Sequence, residues 1–305
     1  MTDVKCPICS SGDTKLKIVS KDYLFLKGKS DEFSVYLCND CHNGFSFPFL
    51  TNAELNRHYP DNYNCFSSHK GFLGRIQRIK SLNDVRVIEK FLKSTGNELF
   101  EIGSGSGFFL SLIAEKGFKA SGLEPSLSGV KYAKDNFGID LNNCFFEEFA
   151  SENKYDMVIA FHVLEHFTDP VSALVKMRSL LKEDGFLYLK VPRLDSWAAK
   201  LYGKFWHGYD LPRHRTHFTK KGLIDLLKKE GFETVMFKGD YGPLDTVRAI
   251  DYFSRFSKNK PLKYLLRVVN LLPYSVKLIA STLFEVVMSP FKSGRMSIIV
   301  RKIKQ

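Results

Sequence analysis

Four thiols stand near the start of the chain as two Cys-x-x-Cys pairs, Cys6 with Cys9 and Cys38 with Cys41. Two residues between thiols let a tight knuckle aim both sulfurs at one ion. Two knuckles complete a closed tetrahedral zinc site with sulfurs about 2.3 Å from the metal. Such a site stabilises a fold and leaves no position for catalysis. The gap from Cys9 to Cys38 carries three strand-like runs, Lys15 to Ser20, Tyr23 to Lys27 and Phe33 to Leu37, so a small sheet is expected to hold the knuckles together. Cys65 and Cys144 have no partner at that spacing and read as a loop thiol and a small buried residue.

The stretch Glu101-Ile-Gly-Ser-Gly-Ser-Gly107 follows an apolar run of strand length and precedes a helix expected from Phe108. Glycines there permit a tight turn and close backbone approach to a ligand. The third glycine falls one place earlier than in the dinucleotide fingerprint G-x-G-x-x-G. About twenty residues on, Gly122-Leu-Glu124-Pro closes a second strand with a carboxylate, a suitable acceptor for ribose hydroxyls. No Lys-Ser/Thr pair follows the glycines, which argues against a triphosphate loop.

Two further stretches concentrate titratable groups. One is His162, Glu165 and His166, directly after an apolar run. The other is Trp206-His-Gly-Tyr-Asp-Leu-Pro-Arg-His-Arg-Thr-His-Phe218, where three histidines, two arginines and a tyrosine fall within thirteen residues. Histidine is the side chain whose ordinary pKa suits proton transfer near neutrality, and arginine can clamp a carboxylate or phosphate through two parallel hydrogen bonds. The bland alternative is an ordered loop in which Arg213, His214, Arg215 and His217 only hold structure.

The elements that must position these groups are legible in the periodicity. Apolar runs at 98–102, 118–123, 155–161 and 185–191 alternate with helix-length stretches, the signature of a parallel sheet covered on both faces. Ligands of such sheets bind at the carboxyl ends of the strands, which is where both turns and the His-rich loop fall. Further strands are expected near 233–238 and 295–303. Thr51-Asn-Ala-Glu54 is a capping box opening a short helix, and His58 to Tyr63 reads as a hinge.

Glu101 to Gly107, the acid at 124 and the turn Phe161-His-Val-Leu-Glu-His166, in that order, resemble the class I S-adenosylmethionine-dependent methyltransferases. The resemblance covers roughly residues 95–240. It implies an α/β, Rossmann-like, doubly wound seven-stranded sheet; the four-cysteine module stands before it, and a helical insertion precedes the last strand where the family normally makes a tight hairpin. It assigns the cofactor S-adenosylmethionine to Glu101, Gly103, Gly105, Gly107 and Glu124, with His162 beside them. No acid marking an adenine site is evident in Asn143 to Glu148. A narrower similarity, carried by the Cys pairs and the Tyr-Pro joint, is to zinc-bearing methyltransferases of sugars and cell-surface glycans. Under this reading His166, His214, His217 and Tyr209 are the candidates for a general base, and His207, Arg213 and Arg215 for substrate binding. Residues 1–66 form the zinc module and hinge, and 67–305 the methyltransferase domain.

Composition bounds the partners. The formal charge is +12, but from Arg255 to Gln305 eleven Lys and Arg face one acid, Glu285, so ten of the twelve excess charges sit in the tail. Within the insertion, 244–292, two Pro-led helical runs at 261–272 and 273–288 are apolar around most of their circumference and flanked by cations. That combination suits an anionic membrane surface, with a lid or a second copy of the chain as the alternative cover. A near-neutral core disfavours an RNA methyltransferase, the other enzymatic reading. An intact glycine turn disfavours a third, a scaffold with an inactive core. The N-terminus lacks an apolar signal region, so the expected address is cytoplasmic, peripheral at the inner membrane face.

Overall fold

The structure is a computed structural model that describes residues 4–25, 31–59, 71–92, 96–288 and 293–303. The hinge beyond residue 59, Cys65, Lys27 and Lys292 lie outside the described residues.

The chain opens with β1 (Thr14–Lys21), β2 (Glu32–Cys38) and β3 (Gly44–Phe47), paired antiparallel in that order. The expected strand from Tyr23 does not form in its described part. Asp22 Oδ1 accepts the backbone N–H of Leu24 and of Phe25, both at 3.2 Å, and this turn diverts the chain. Tyr23 instead stacks among Phe205, Tyr252 and Phe256. Helix α1 (Asn52–Asn56) begins at the expected capping box, with Thr51 and Glu54 bonding reciprocally.

After α2 (Gly71–Leu92) come β4 (Glu98–Ile102), α3 (Phe108–Ala114), β5 (Lys119–Leu123), α4 (Leu127–Phe137), β6 (Tyr155–Phe161), α5 (Pro170–Ser179) and β7 (Leu181–Pro192). The four strands are parallel, in spatial order β5-β4-β6-β7. Neighbouring residues along each strand divide between the two faces: Phe100, Val158 and Leu187 pack in one core, Leu99, Met157 and Tyr188 in the other. Every residue of β6 but Phe161 is buried, as expected of a strand covered on both sides.

Then follow α6 (Trp197–Tyr202), β8 (Thr216–His217), α7 (Lys220–Lys229), β9 (Phe232–Asp240), α8 (Pro243–Phe256), α9 (Lys260–Asn270), α10 (Tyr274–Met288) and β10 (Arg295–Lys302). β10 lies antiparallel between β7 and β9, completing a sheet of six strands. Against the seven strands that the resemblance implies, the described residues add to these six a single bridge beside β5, from Leu123 to Asn142. Two backbone bonds form it, Asn142 N–H to the Gly122 carbonyl and Glu124 N–H to the Asn142 carbonyl, and the side-chain amides of Asn142 and Asn143 add bonds to the Gly122 and Glu124 carbonyls.

The small N-terminal sheet is completed from elsewhere in the chain, because β8 pairs with β3. Thr219, which caps α7, also donates to the His42 carbonyl and accepts nothing from it, while Asn43 Oδ1 accepts the Thr219 N–H. The cysteine module is thereby docked on the His-rich loop.

Candidate active site

The turn leaving β4 is built on positive φ values, +71° at Gly103 and +70° at Gly107. A Cβ at Gly103 would sit 2.7 Å from Val163 Cγ2, and one at Gly107 2.6 Å from Ala133 Cβ. Only glycine fits either position, and the first contact shows that the β4 turn and the β6 turn meet. Glu124, closing β5, clamps the turn: its carboxylate accepts the Gly105 N–H and the Ser126 N–H, both at 2.9 Å. Burial raises its pKa, against the pull of those two N–H groups. Glu101 is buried beneath the turn, and one of its oxygens, Oε2, has no hydrogen-bond partner among the described residues. Desolvation, helped by the nearby Glu124 charge, pushes its carboxyl up to about 8.

The turn after β6 carries a second unpartnered carboxylate. Glu165 is 1% exposed, neither oxygen has a hydrogen-bond partner among the described residues, and burial pushes it up to about 8. Three histidines surround it. His162 holds a left-handed φ of +58°, its Nδ1 lies 3.6 Å from Glu165 Oε1, and its Nε2 faces Arg295 Nη1 at 3.4 Å. Desolvation and the Arg295 charge hold His162 well below its ordinary pKa. His166 Nδ1 bonds the Arg213 carbonyl at 3.1 Å, and burial with the neighbouring His214 takes it down to about 3. His214 Nδ1 bonds the Gly208 carbonyl at 2.9 Å, its Nε2 lies 4.0 Å from Glu165 Oε1, and burial lowers its pKa too. In all three rings burial thus favours the neutral form.

The remaining sequence candidates are placed differently. Arg213 cannot clamp a substrate: its five N–H donors are committed to Asp22, Asp210 and the His58 carbonyl. Arg215 likewise reaches back, to the Leu50 carbonyl at 2.6 Å and Asn52 Oδ1 at 2.9 Å. Both arginines fasten the loop to the N-terminal module. His217 sits in β8 with Nε2 2.9 Å from Ser46 Oγ. The Ser46 hydroxyl donates to the His214 carbonyl, so it accepts from His217, whose ring is committed to docking. Tyr209 packs edge-on against Trp206 and His217 and, with His207, lines a small cleft beside Tyr23 and Tyr252.

Sequence reasoning missed a charged cluster at the same end of the sheet. Buried Lys190 pairs with Asp84 at 2.6 Å and Asp240 at 3.5 Å, and Arg295 grips Asp245 at 2.7 Å. A lysine inside the apolar run Phe186 to Val191 was the available signal, since a buried charge requires a partner.

Comparison with known proteins bears on this arrangement. A ubiquinone biosynthesis O-methyltransferase of Cereibacter sphaeroides is 29% identical over 157 residues, 47% of this chain and 63% of that protein. The similarly named enzyme of Pasteurella multocida is 23% identical over 192 residues, 52% and 79% of the two chains. The chain thus spans 63% of the length of the first of these curated relatives. Among solved structures, an S-adenosylmethionine-dependent methyltransferase from Archaeoglobus fulgidus is similar at 18% identity and a TM-score of 0.49, covering 74% of this chain and 94% of that one. The methyltransferase domain family matches residues 75–236, more than half of the chain, and this span holds both carboxylates, both turns and the His-rich loop: the chain belongs to that family.

Proposed function

We propose that this chain transfers a methyl group from S-adenosylmethionine to a small molecule, with a sugar or lipid-linked glycan intermediate as the acceptor class. The observation that carries the reading is Glu101: a buried carboxylate with an orphaned oxygen under a glycine turn, beside Glu124. An isolated buried acid is costly, and a cationic ligand in the turn would supply the missing partner. Glu101, Gly103, Gly105, Gly107 and Glu124 would hold the donor, with His162 beside them. Bound there, it supplies a sulfonium-linked methyl group for in-line displacement. The protein's task is then to orient the acceptor at the His162, Glu165, His166 and His214 cluster and exclude water. The name of the relatives supports a small-molecule acceptor. The sugar class rests on the resemblance carried by the cysteine module.

Within that module the residues fit one structural zinc ion. Sγ atoms of Cys6 and Cys41 lie 3.6 Å apart and those of Cys9 and Cys38 3.5 Å, near the ~3.8 Å edge of a tetrahedral thiolate site. The four sulfurs lie within 4.8 Å of one another.

Incubating the protein with an extract of its own cells and methyl-labelled donor tests the activity. Label is expected in the sugar or lipid-extractable fraction. Label in RNA would overturn the acceptor class, and no label in any fraction would overturn the activity.

The insertion supports a contact with anionic membrane. No described helix is long and apolar enough to cross a bilayer. Yet Leu265, Val268, Leu271, Ile279, Leu283 and Val287 are exposed along α9 and α10, with Lys260, Lys263, Arg267 and Lys277 in the same helices. Glu285, the one acid of α9 and α10, points inward to Thr246 and Gly242, leaving the outer faces of these two helices without a carboxylate among the described residues. The protein is expected to sediment with phosphatidylglycerol vesicles and not with phosphatidylcholine. The double variant Leu265→Glu, Val268→Glu should stay in the supernatant, and its sedimenting like wild type would refute the contact.

A further inference from the structure

We propose that Glu165, His166 and His214 bind one first-row divalent cation, in a site distinct from the four-thiolate one. A ligand atom from each of the three lies within 4.8 Å of the other two. Closing from there onto an ion at about 2.1 Å takes side-chain shifts of roughly an ångström.

Three observations point to a cation. Glu165 is 1% exposed, and both its oxygens lack a hydrogen-bond partner among the described residues. A buried ionised carboxylate without a partner is unfavourable by several kcal/mol on order-of-magnitude grounds, so this group either keeps its proton or receives a positive charge. The two imidazoles are oriented as metal ligands are. Each uses Nδ1 to bond a backbone carbonyl, that of Arg213 for His166 and that of Gly208 for His214. A carbonyl accepts only, so Nδ1 carries the proton and Nε2 the free lone pair. This outer-shell bond from the second ring nitrogen is what fixes tautomer and orientation in metal-bound histidine. Finally, Asp210 Oδ2 lies 3.9 Å from His214 Nε2, adding negative charge at the rim while its oxygens are occupied by Arg213.

Two imidazoles and one carboxylate suit zinc, cobalt, manganese or iron over magnesium or calcium, and three protein ligands leave a position open. Val163, in the same turn, is the residue that a side chain at Gly103 would strike, so the site adjoins the glycine turn. The open position would take an oxygen of the methyl acceptor. Only that last use rests on the proposed function; the coordination itself does not.

The test is metal analysis joined to cobalt spectroscopy on the full chain. After loading with zinc and removal of free metal, wild type is expected to hold two equivalents. Cys38→Ser should lose one, and His214→Ala and Glu165→Gln should each lose the other. Cobalt added to protein already carrying zinc at the thiolates should give a d–d band without thiolate charge transfer. Its affinity should fall by at least about 100-fold in His214→Ala. One equivalent in wild type with no such band, or two in both site variants, would overturn the proposal. The wild-type cobalt titration decides the matter even if a variant fails to fold. Donor affinity, measured in parallel by dialysis, separates the two readings: metal without donor binding sinks the methyl-transfer reading alone, and donor binding without metal sinks this one alone.

Discussion

Glu124→Lys is expected to weaken binding of S-adenosylmethionine by at least about 100-fold. The Glu124 carboxylate accepts two backbone N–H groups, from Gly105 and Ser126, and so fixes the glycine turn relative to the end of β5. Hydrogen bonds to a charged group contribute about 1.5–3 kcal/mol each. Losing both corresponds to about two decades of affinity before the loss of a ribose acceptor is counted. A lysine also places a cation beside a sulfonium. Glu124→Gln is the graded control: its amide oxygen keeps one of the two bonds, and a loss of about tenfold is expected. Equilibrium dialysis with labelled donor measures both. Equal affinity in wild type and Glu124→Lys would remove Glu124 from the donor site.

Arg213→Leu is expected to lower the melting temperature by about 10 °C. The guanidinium is 1% exposed and joins Asp22 of the N-terminal module to Asp210 of the His-rich loop. Breaking a buried ion pair from one side costs about 3–5 kcal/mol, because the other charge stays buried without its partner. For a chain of this size each kcal/mol shifts the midpoint by about 2–4 °C. The pH dependence carries a sign. Although desolvation alone would raise it, Arg213 holds the Asp210 carboxyl below the ordinary carboxylate range. A depressed folded-state pKa stabilises fully above the unfolded value and is lost as pH falls toward the folded one. The gap between wild type and variant should therefore be widest at neutral pH and narrow below about pH 4. Thermal melts by circular dichroism across pH supply the comparison. A substrate-clamping arginine would instead raise KM at an unchanged melting temperature.

What could be read from the sequence was local. Strand runs such as 98–102 and 155–161, the Thr51 capping box and the glycine turn depend on spacings of a few residues, and each forms where expected. What could not be read depends on partners distant in the chain. Arg213 looks like a ligand clamp until Asp22, 191 residues away, occupies it. His217 looks like a base until Ser46, 171 residues away, bonds its ring. Lys190 and Asp84, 106 residues apart, were invisible as a pair for the same reason. In its described part the run from Tyr23 is not a strand for a local cause: the Asp22 carboxylate accepts the N–H groups of Leu24 and Phe25 and turns the chain there. The expected run at 295–303 forms as β10, while beside β5 the described residues pair at one bridge, through Asn142.

All of these assignments hang on whether the β4 turn and the β5 carboxylate receive an adenosyl sulfonium. Isothermal titration of the purified wild-type chain with S-adenosylmethionine addresses this most directly. A saturable isotherm with one site per chain is the expected result. A folded protein that releases no heat and retains no donor on dialysis would contradict the account at its root.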